Sequence, residues 1–307
     1  MASHIFNQIR KAISTLNPAE VREIAERPAR IVLHANSAQS MREMEEFLVP
    51  LTLSERRREE LLASVYRAGD PRAPVAPEIN LYEQGIFHAP DAFSFYAYDP
   101  MKTVDEILES LPELDLALAS RYVPFREPVI AQIVGKVSTE NGWFSVMTSL
   151  PNIIPSPLMV PWAVGEFASD SAVLTANQIR MLFLIAGASG EHVGFQEQRS
   201  QIASIIAAAF GWRAIARQAI GKIPMGGGVI PKAAIAYAGT WVVGKSFERF
   251  YRMGYSYTGS ERKRAFKEAF ERGKQILSTM MRRQREEATD SKADADFARQ
   301  VVVKEAE

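Results

Sequence analysis

The chain has 307 residues, balances 36 Lys and Arg against 36 Asp and Glu, and contains no cysteine. The length exceeds one average domain, so two are expected. Zero net charge excludes a nucleic-acid binder held by whole-chain phosphate neutralisation. The missing cysteines exclude disulfides, thiolate zinc sites, iron–sulfur clusters and cysteine nucleophiles, and fit a reducing compartment.

The stretch Met1 to Arg22 has no continuous apolar run of the kind a secretory signal needs, and reads as a leading helix. Ile5, Ile9, Ala12, Ile13 and Leu16 fall at helical spacing, and Asn17-Pro18 ends that helix and caps a second one through Ile24. Ala29 to His34 is short and β-branched, which predicts a strand. The polar turn Ala35-Asn36-Ser37 follows, then a helix carrying Met41, Met44, Phe47 and Leu48. Ser54 is placed to cap a helix with Arg57 to Val65 as its body, and Ala68 to Pro77 is a Gly/Pro-rich connection. Ile79 to Tyr82 and Ala92 to Tyr98 are further strand candidates, and Asp99-Pro100 opens a helix over Met101 to Leu111.

The composition changes after Pro124. From Phe125 to Tyr255 strand alternation gives way to helical periods rich in Ala, Ile, Val, Met and Trp, punctuated by prolines. Gly142 to Phe167 and Val229 to Phe247 have the length and apolarity of bilayer segments. Ala172 to Gly190 is as long, but Arg180 in its middle would be costly in hydrocarbon unless it were paired or faced protein, and the simpler reading is a buried core helix. From Lys245 to Arg285 about twelve Lys and Arg face four Glu, with Phe266, Phe270, Ile276, Leu277 and Met280 on an apolar side. Arg262, Lys263, Arg264, Lys267, Arg282, Arg283 and Arg285 would then meet an anionic membrane surface, on the cytoplasmic side by the positive-inside rule. The competing reading is a solvated helix packing Phe266 and Phe270 on a neighbour. Thr289 to Asp296 reads as a frayed tail.

The expected fold class is therefore α+β. A small α/β domain with leading helices spans 1–122, an apolar helical module 123–257, and a basic helical extension with its tail 258–307.

One string carries a chemical motif: Gly239-Thr240-Trp241-Val242-Val243-Gly244-Lys245-Ser246 matches the phosphate-loop pattern letter for letter. A working loop wraps backbone N–H groups around phosphates between a strand and a helix, and needs a later strand bearing a magnesium-binding Asp. The chain downstream is too short and charged to supply that sheet, and the β-branched Val242 and Val243 resist positive φ. Read as a helix, the segment puts Ala234, Ala238 and Trp241 on one face, where small residues admit a close helix neighbour. The four histidines, His4, His34, His88 and His192, are dispersed, so no metal site is expected. Gly187-Ala188-Ser189-Gly190 has the wrong spacing for a nucleophile elbow and reads as a helix C-terminal turn. Met225-Gly226-Gly227-Gly228 reads as a turn between apolar helices. Glu166 and Asp170 read as solvated, or bonded to Arg180 or Arg213.

Several strings in order resemble a known bacterial family. They are Phe125-Arg126-Glu127-Pro128, Glu140-Asn141-Gly142-Trp143-Phe144, Leu150-Pro151-Asn152-Ile153-Ile154-Pro155, Asp170 with Val173 to Gln178, Gly211-Trp212-Arg213, and Ile230-Pro231-Lys232 leading to Ala236 through Thr240. Over roughly 124–255 the chain resembles the helical family called domain of unknown function 697. The resemblance implies a membrane-linked helical module without assigned catalysis, working beside a Ras-like GTPase domain. The first half departs from a GTPase: the loop after Ile31 to His34 reads Ala35-Asn36-Ser37-Ala38-Gln39-Ser40, without the glycines and Lys of a phosphate loop, and no N-K-x-D string occurs.

The functional expectation is a non-catalytic, membrane-associated scaffold or adaptor on the cytoplasmic face. Its partners would be membrane lipid and a GTPase-type protein or a second copy, with no nucleic acid, metal or cofactor. The alternative is a cytoplasmic interaction or homo-oligomerisation module. The third reading is a nucleotide binder using Gly239, Gly244, Lys245 and Ser246.

Overall fold

The computed structural model describes residues 2–149, 170–208 and 228–304; of residues 2–6, 170, 285 and 287–304 it describes the backbone alone. Expectations that fall on 150–169 and 209–227, including most of the 142–167 segment, Glu166 and Arg213, lie outside the described residues.

Helices α1 (Ala2–Ile13) and α2 (Pro18–Glu26) open the chain, with Pro18 at the first helical position, where its missing N–H is not needed. Strand β1 (Ile31–His34) follows, then α3 (Ala38–Leu48) and α4 (Glu55–Leu62). Ser37 caps α3, its hydroxyl oxygen accepting from the Ser40 N–H at 3.0 Å. Strands β2 (Val65–Arg67), β3 (Ile79–Glu83) and β4 (Phe93–Phe95) complete a sheet of order β2-β1-β3-β4 in which every pairing is parallel. Parallel sheets need cover on both faces, and Ile31, Val32 and Leu33 of β1 are accordingly all buried.

Two strand boundaries differ from expectation. Val65, expected to end a helix, instead begins β2 opposite Ile31, because pairing with the central strand overrides a weak local helical pattern. The candidate over 92–98 contracts to Phe93–Phe95, because the Tyr96 N–H turns away to donate to the Thr103 hydroxyl at 3.0 Å.

After α5 (Pro100–Ser110) and a 3-10 turn at Pro112–Leu114, the chain is helical wherever it forms regular structure among the described residues. The helices are α6 (Asp115–Arg121), α7 (Val123–Met147), α8 (Asp170–Ala188), α9 (199–208 among the described residues), α10 (Val229–Met253) and α11 (Gly259–Lys304). The protein is thus α+β, with a small parallel sheet near the N-terminus and a helical C-terminal part. Backbone helix in α11 continues through the acidic stretch 289–296, where a frayed tail was expected. Asp and Ala make up five of its eight residues, and of these only Ala is a strong helix former.

The core is continuous across the start of α7. Ile31, Leu33, Ile79 and Leu81 of the sheet belong to one buried cluster with Phe125 and Val129 of α7 and Ile179, Leu182 and Phe183 of α8. Tyr122 joins the layers: it is fully buried, and its hydroxyl donates to the Ala29 carbonyl at 2.7 Å, just before β1. From the other end, Ile9 and Ala12 of α1 pack on Ala172 and Ala176 of α8. A second cluster ties α10 to α7 and α11 through Val146, Tyr237, Ala238, Ala269 and Leu277.

The turn from α10 to α11 is fixed by local chemistry. Gly254, at φ +80, ends α10 in the left-handed conformation that a Cβ would disfavour. Thr258 and Glu261 then form a reciprocal capping box: the Thr258 N–H donates to the Glu261 carboxylate at 2.8 Å and the Glu261 N–H to the Thr258 hydroxyl at 3.4 Å.

Candidate functional site

The phosphate-loop string is α-helical throughout. Gly239, Gly244, Lys245 and Ser246 all lie inside α10, where backbone N–H groups bond to carbonyls four residues earlier and cannot turn onto a phosphate. Lys245 pairs with Glu248, whose residue is only 6% exposed. Gly244 sits where α10 meets α7 and α8: a Cβ there would lie 2.7 Å from Val134 Cγ2 and 3.1 Å from Met181 Sδ. The nucleotide reading is corrected accordingly, because this backbone geometry serves helix contact. Ala234 and Ala238 are fully buried, and Trp241 is half-buried with its ring stacked on Tyr237 at 6.0 Å. The Arg272 guanidinium lies over the other partner, Trp241, at 4.8 Å.

Among the described residues, one helix is long and apolar enough to cross a bilayer, and it is the one that carries Arg180. The window Ser171–Ala188 has mean hydropathy 1.3 and is 78% buried inside the protein. The segment 229–247 forms part of α10 and does not reach that mark. Polar groups of α8 are knitted into its neighbours. Asn177 Nδ2 donates to Asn141 Oδ1 of α7 at 2.8 Å, and Asn141 Nδ2 donates to Thr240 Oγ1 of α10 at 2.8 Å. Gln178 Nε2 donates to the same Thr240 oxygen at 3.2 Å. Arg180 donates to Asn177 Oδ1 at 3.0 Å and to Glu140 Oε2 at 2.6 Å, so its carboxylate partner comes from α7 rather than from its own helix. Asn141, Asn177 and Thr240 are at most 1% exposed, and in an apolar interior each unmet donor or acceptor would be expensive. The network therefore fixes the register of three helices.

The basic residues of α11 point to solvent. Arg262, Lys263, Arg264, Lys267, Arg282 and Arg283 are all exposed, whereas the Arg285 side chain lies outside those described. The apolar side of α11 is engaged: Ala269 and Leu277 are buried, and Phe266, Phe270, Ile276 and Met280 pack against α7 and α10.

A ring cluster at the carboxyl edge of the sheet escaped sequence reasoning. His34 and Tyr82 are register partners on β1 and β3, and their rings stack at 3.9 Å and 5°. His88 lies against the far side of the cluster, 5.1 Å from Tyr82. Nearby, the Glu83 carboxylate accepts from the Asn36 N–H at 2.8 Å and from the Ser40 hydroxyl at 2.7 Å, which holds its pKa below the usual range. The only signal in the sequence was that His34 and Tyr82 each stand near the end of a predicted strand.

Two cavities flank Tyr251. One of about 430 Å³ is lined by Glu191, His192, Glu197 and Gln198; the other, of about 240 Å³, by Arg126, Glu127, Glu248 and Arg252. In the second, two cations oppose two carboxylates, so its charge selects no class of ligand. Burial pushes the Tyr251 hydroxyl up to about 12, which makes it a poor proton donor near neutral pH. Among the described residues, no three His, Asp or Glu side chains are grouped to hold a metal ion. Comparison with protein-family models, curated proteins and solved structures finds no match to this chain.

Proposed function

We propose that the chain is a non-catalytic helical scaffold that associates with a membrane at its cytoplasmic face. The observation that carries this reading is the exposed basic side of α11, held rigidly against the bundle by Ala269 and Leu277. Fixed cations on a straight helix attract anionic headgroups. The resemblance to domain of unknown function 697 over roughly 124–255 points the same way, and suggests a GTPase-type protein or a second copy as the scaffolded partner. Neither needs a cofactor or a metal. Sedimentation of the purified chain with vesicles made from a bacterial lipid extract tests the proposal. Pelleting with the vesicles is expected, and recovery wholly in the supernatant would refute it.

A cytoplasmic interaction module is the second reading, favoured by the 78% burial of the Ser171–Ala188 window. It expects a monodisperse species without detergent that ignores vesicles of any composition.

A further inference from the structure

We infer that Lys263, Arg264, Lys267, Lys274 and Arg282 of α11 form a peripheral docking face for anionic lipid headgroups, with α8 kept inside the bundle in the bound state. The inference rests on the membrane-associated reading and specifies how contact is made.

At 3.6 residues per turn, these five side chains fall within a sector of about 100° around α11 and extend along about 28 Å of its length. Glu271, the acidic residue within that sector, pairs with Lys274 at 2.9 Å, and Glu286 lies 4.0 Å from Arg282, so Lys263, Arg264 and Lys267 keep positive charge in excess. Lys274 and Arg282 keep 42% and 71% of their side-chain surfaces exposed. An amphipathic helix that inserts into the interface must offer its apolar side to lipid. In α11 that side is covered by α7 and α10, so attraction has to be electrostatic and shallow.

Lipid fits better than nucleic acid for two reasons. The whole chain has zero net charge, so no broad positive field surrounds the protein. At the head of that line, the corner into α11 exposes Met253 by 52% and Tyr255 by 51%, an apolar and an aromatic side chain of the kind that settles at a bilayer interface.

The second half of the inference concerns α8. Removing it from the bundle would break the Arg180–Glu140 pair and strip Asn177 and Gln178 of their partners on α7 and α10. Hydrocarbon offers no replacement for those partners. Length and apolarity therefore qualify α8 for a bilayer that its polar contacts forbid it to enter.

The test uses the full chain and the variant K263E/K267E/R282E, which changes exposed side chains. Both are sedimented with phosphatidylcholine vesicles with or without phosphatidylglycerol, at about 0.05 M and about 0.5 M salt, so that screening varies widely. The expected result is binding only to phosphatidylglycerol vesicles, release by salt and by alkaline carbonate, and a drop on the order of a hundredfold in the variant, from about fivefold per lost cation. A variant that binds like the parent overturns the docking face and leaves the membrane reading intact. Carbonate-resistant binding overturns the retention of α8. Failure of the parent to bind any vesicle, including those from bacterial lipid extract, defeats the membrane reading itself. Binding to duplex DNA at about 0.15 M salt without vesicle binding would replace lipid by nucleic acid.

Discussion

Replacing Gly244 by Ala puts the helix-contact reading of the phosphate-loop string at risk. The added methyl would sit 2.7 and 2.9 Å from the two γ-carbons of Val134, closer than real Cβ contacts come. Val134 is fully buried and β-branched, so it cannot swing away as a flexible chain end would. Overpacking of this kind costs about 1–3 kcal/mol, against a gain of up to about 1 kcal/mol from replacing a helical glycine by alanine. The net expectation is a loss of about 1–2 kcal/mol. Gly135 of α7 supplies the control: nothing lies within 4 Å of its added Cβ, so Gly135→Ala should gain about 0.5–1 kcal/mol. Urea unfolding followed by far-ultraviolet circular dichroism separates the two by midpoint. Should Gly244→Ala unfold at or above the parent midpoint while Gly135→Ala behaves as expected, the close approach of α10 to α7 is wrong. A nucleotide that raises the parent's midpoint but not that of Gly244→Ala would revive the phosphate loop.

Three further outcomes follow from single groups. Thr240→Val keeps the shape but removes the oxygen that serves Asn141 and Gln178, and should cost about 2 kcal/mol in the same urea assay. The Arg249 guanidinium, with help from the Thr258 N–H and hydroxyl, lowers the Glu261 carboxyl from 4.5 to about 2. A depressed acid stabilises the fold above its unfolded value, so that contribution is full above pH 4.5 and disappears as pH falls toward 2; Glu261→Gln should lack this part of the acid limb in pH-dependent melting. Burial, with Glu113 adding to it, raises Asp115 to about 6. Here the sign reverses: the folded state holds the proton more tightly, so stability rises as pH drops from about 6 toward 4. Asp115→Asn should therefore melt above the parent at pH 7 and level with it at about pH 4.

What was readable in the sequence was local. The helix start at Asn17-Pro18 and the apolar periods of α1, α3 and α5 announced themselves, because each depends on residues a few positions apart. The charge of Arg180 in an apolar run pointed to a core helix, and the Ser171–Ala188 window of α8 is 78% buried. Its partner was not readable: an acid on the same helix is the natural guess, whereas Glu140 lies 40 positions away and comes into reach only through the packing of α7 on α8. The same holds for Asn141 and Thr240, 99 positions apart, and for His34 and Tyr82, which meet because β1 and β3 pair in one particular register. β2 was lost for a related reason. Three residues carry no period, and only the strand beside them makes them a strand.

The strand, loop and helix at β1 and α3 raise a harder question, since that geometry at the edge of a parallel sheet is where nucleotide phosphates commonly bind. In the order β2-β1-β3-β4 the chain leaves β1 toward one neighbour and returns on its other side, so the crevice between the carboxyl ends of β1 and β3 is the expected ligand position. Glu83, the last residue of β3, fills the anion's place. Its carboxylate takes the Asn36 N–H and the Ser40 hydroxyl at the start of α3, donors that a phosphate would otherwise claim. A tethered carboxylate competes at an effective concentration of millimolar or above, so free phosphate has little to gain in the parent protein. Glu83→Ala should lose about 0.5–1 kcal/mol, because water takes up the solvent-facing Asn36 N–H and only the net worth of the two bonds is lost. Inorganic phosphate at about 10 mM should return about 0.5–1 kcal/mol of that loss to the variant and nothing to the parent. Equal phosphate stabilisation of both proteins, or a Glu83→Ala midpoint unchanged from the parent, would show that this carboxylate does not hold the loop.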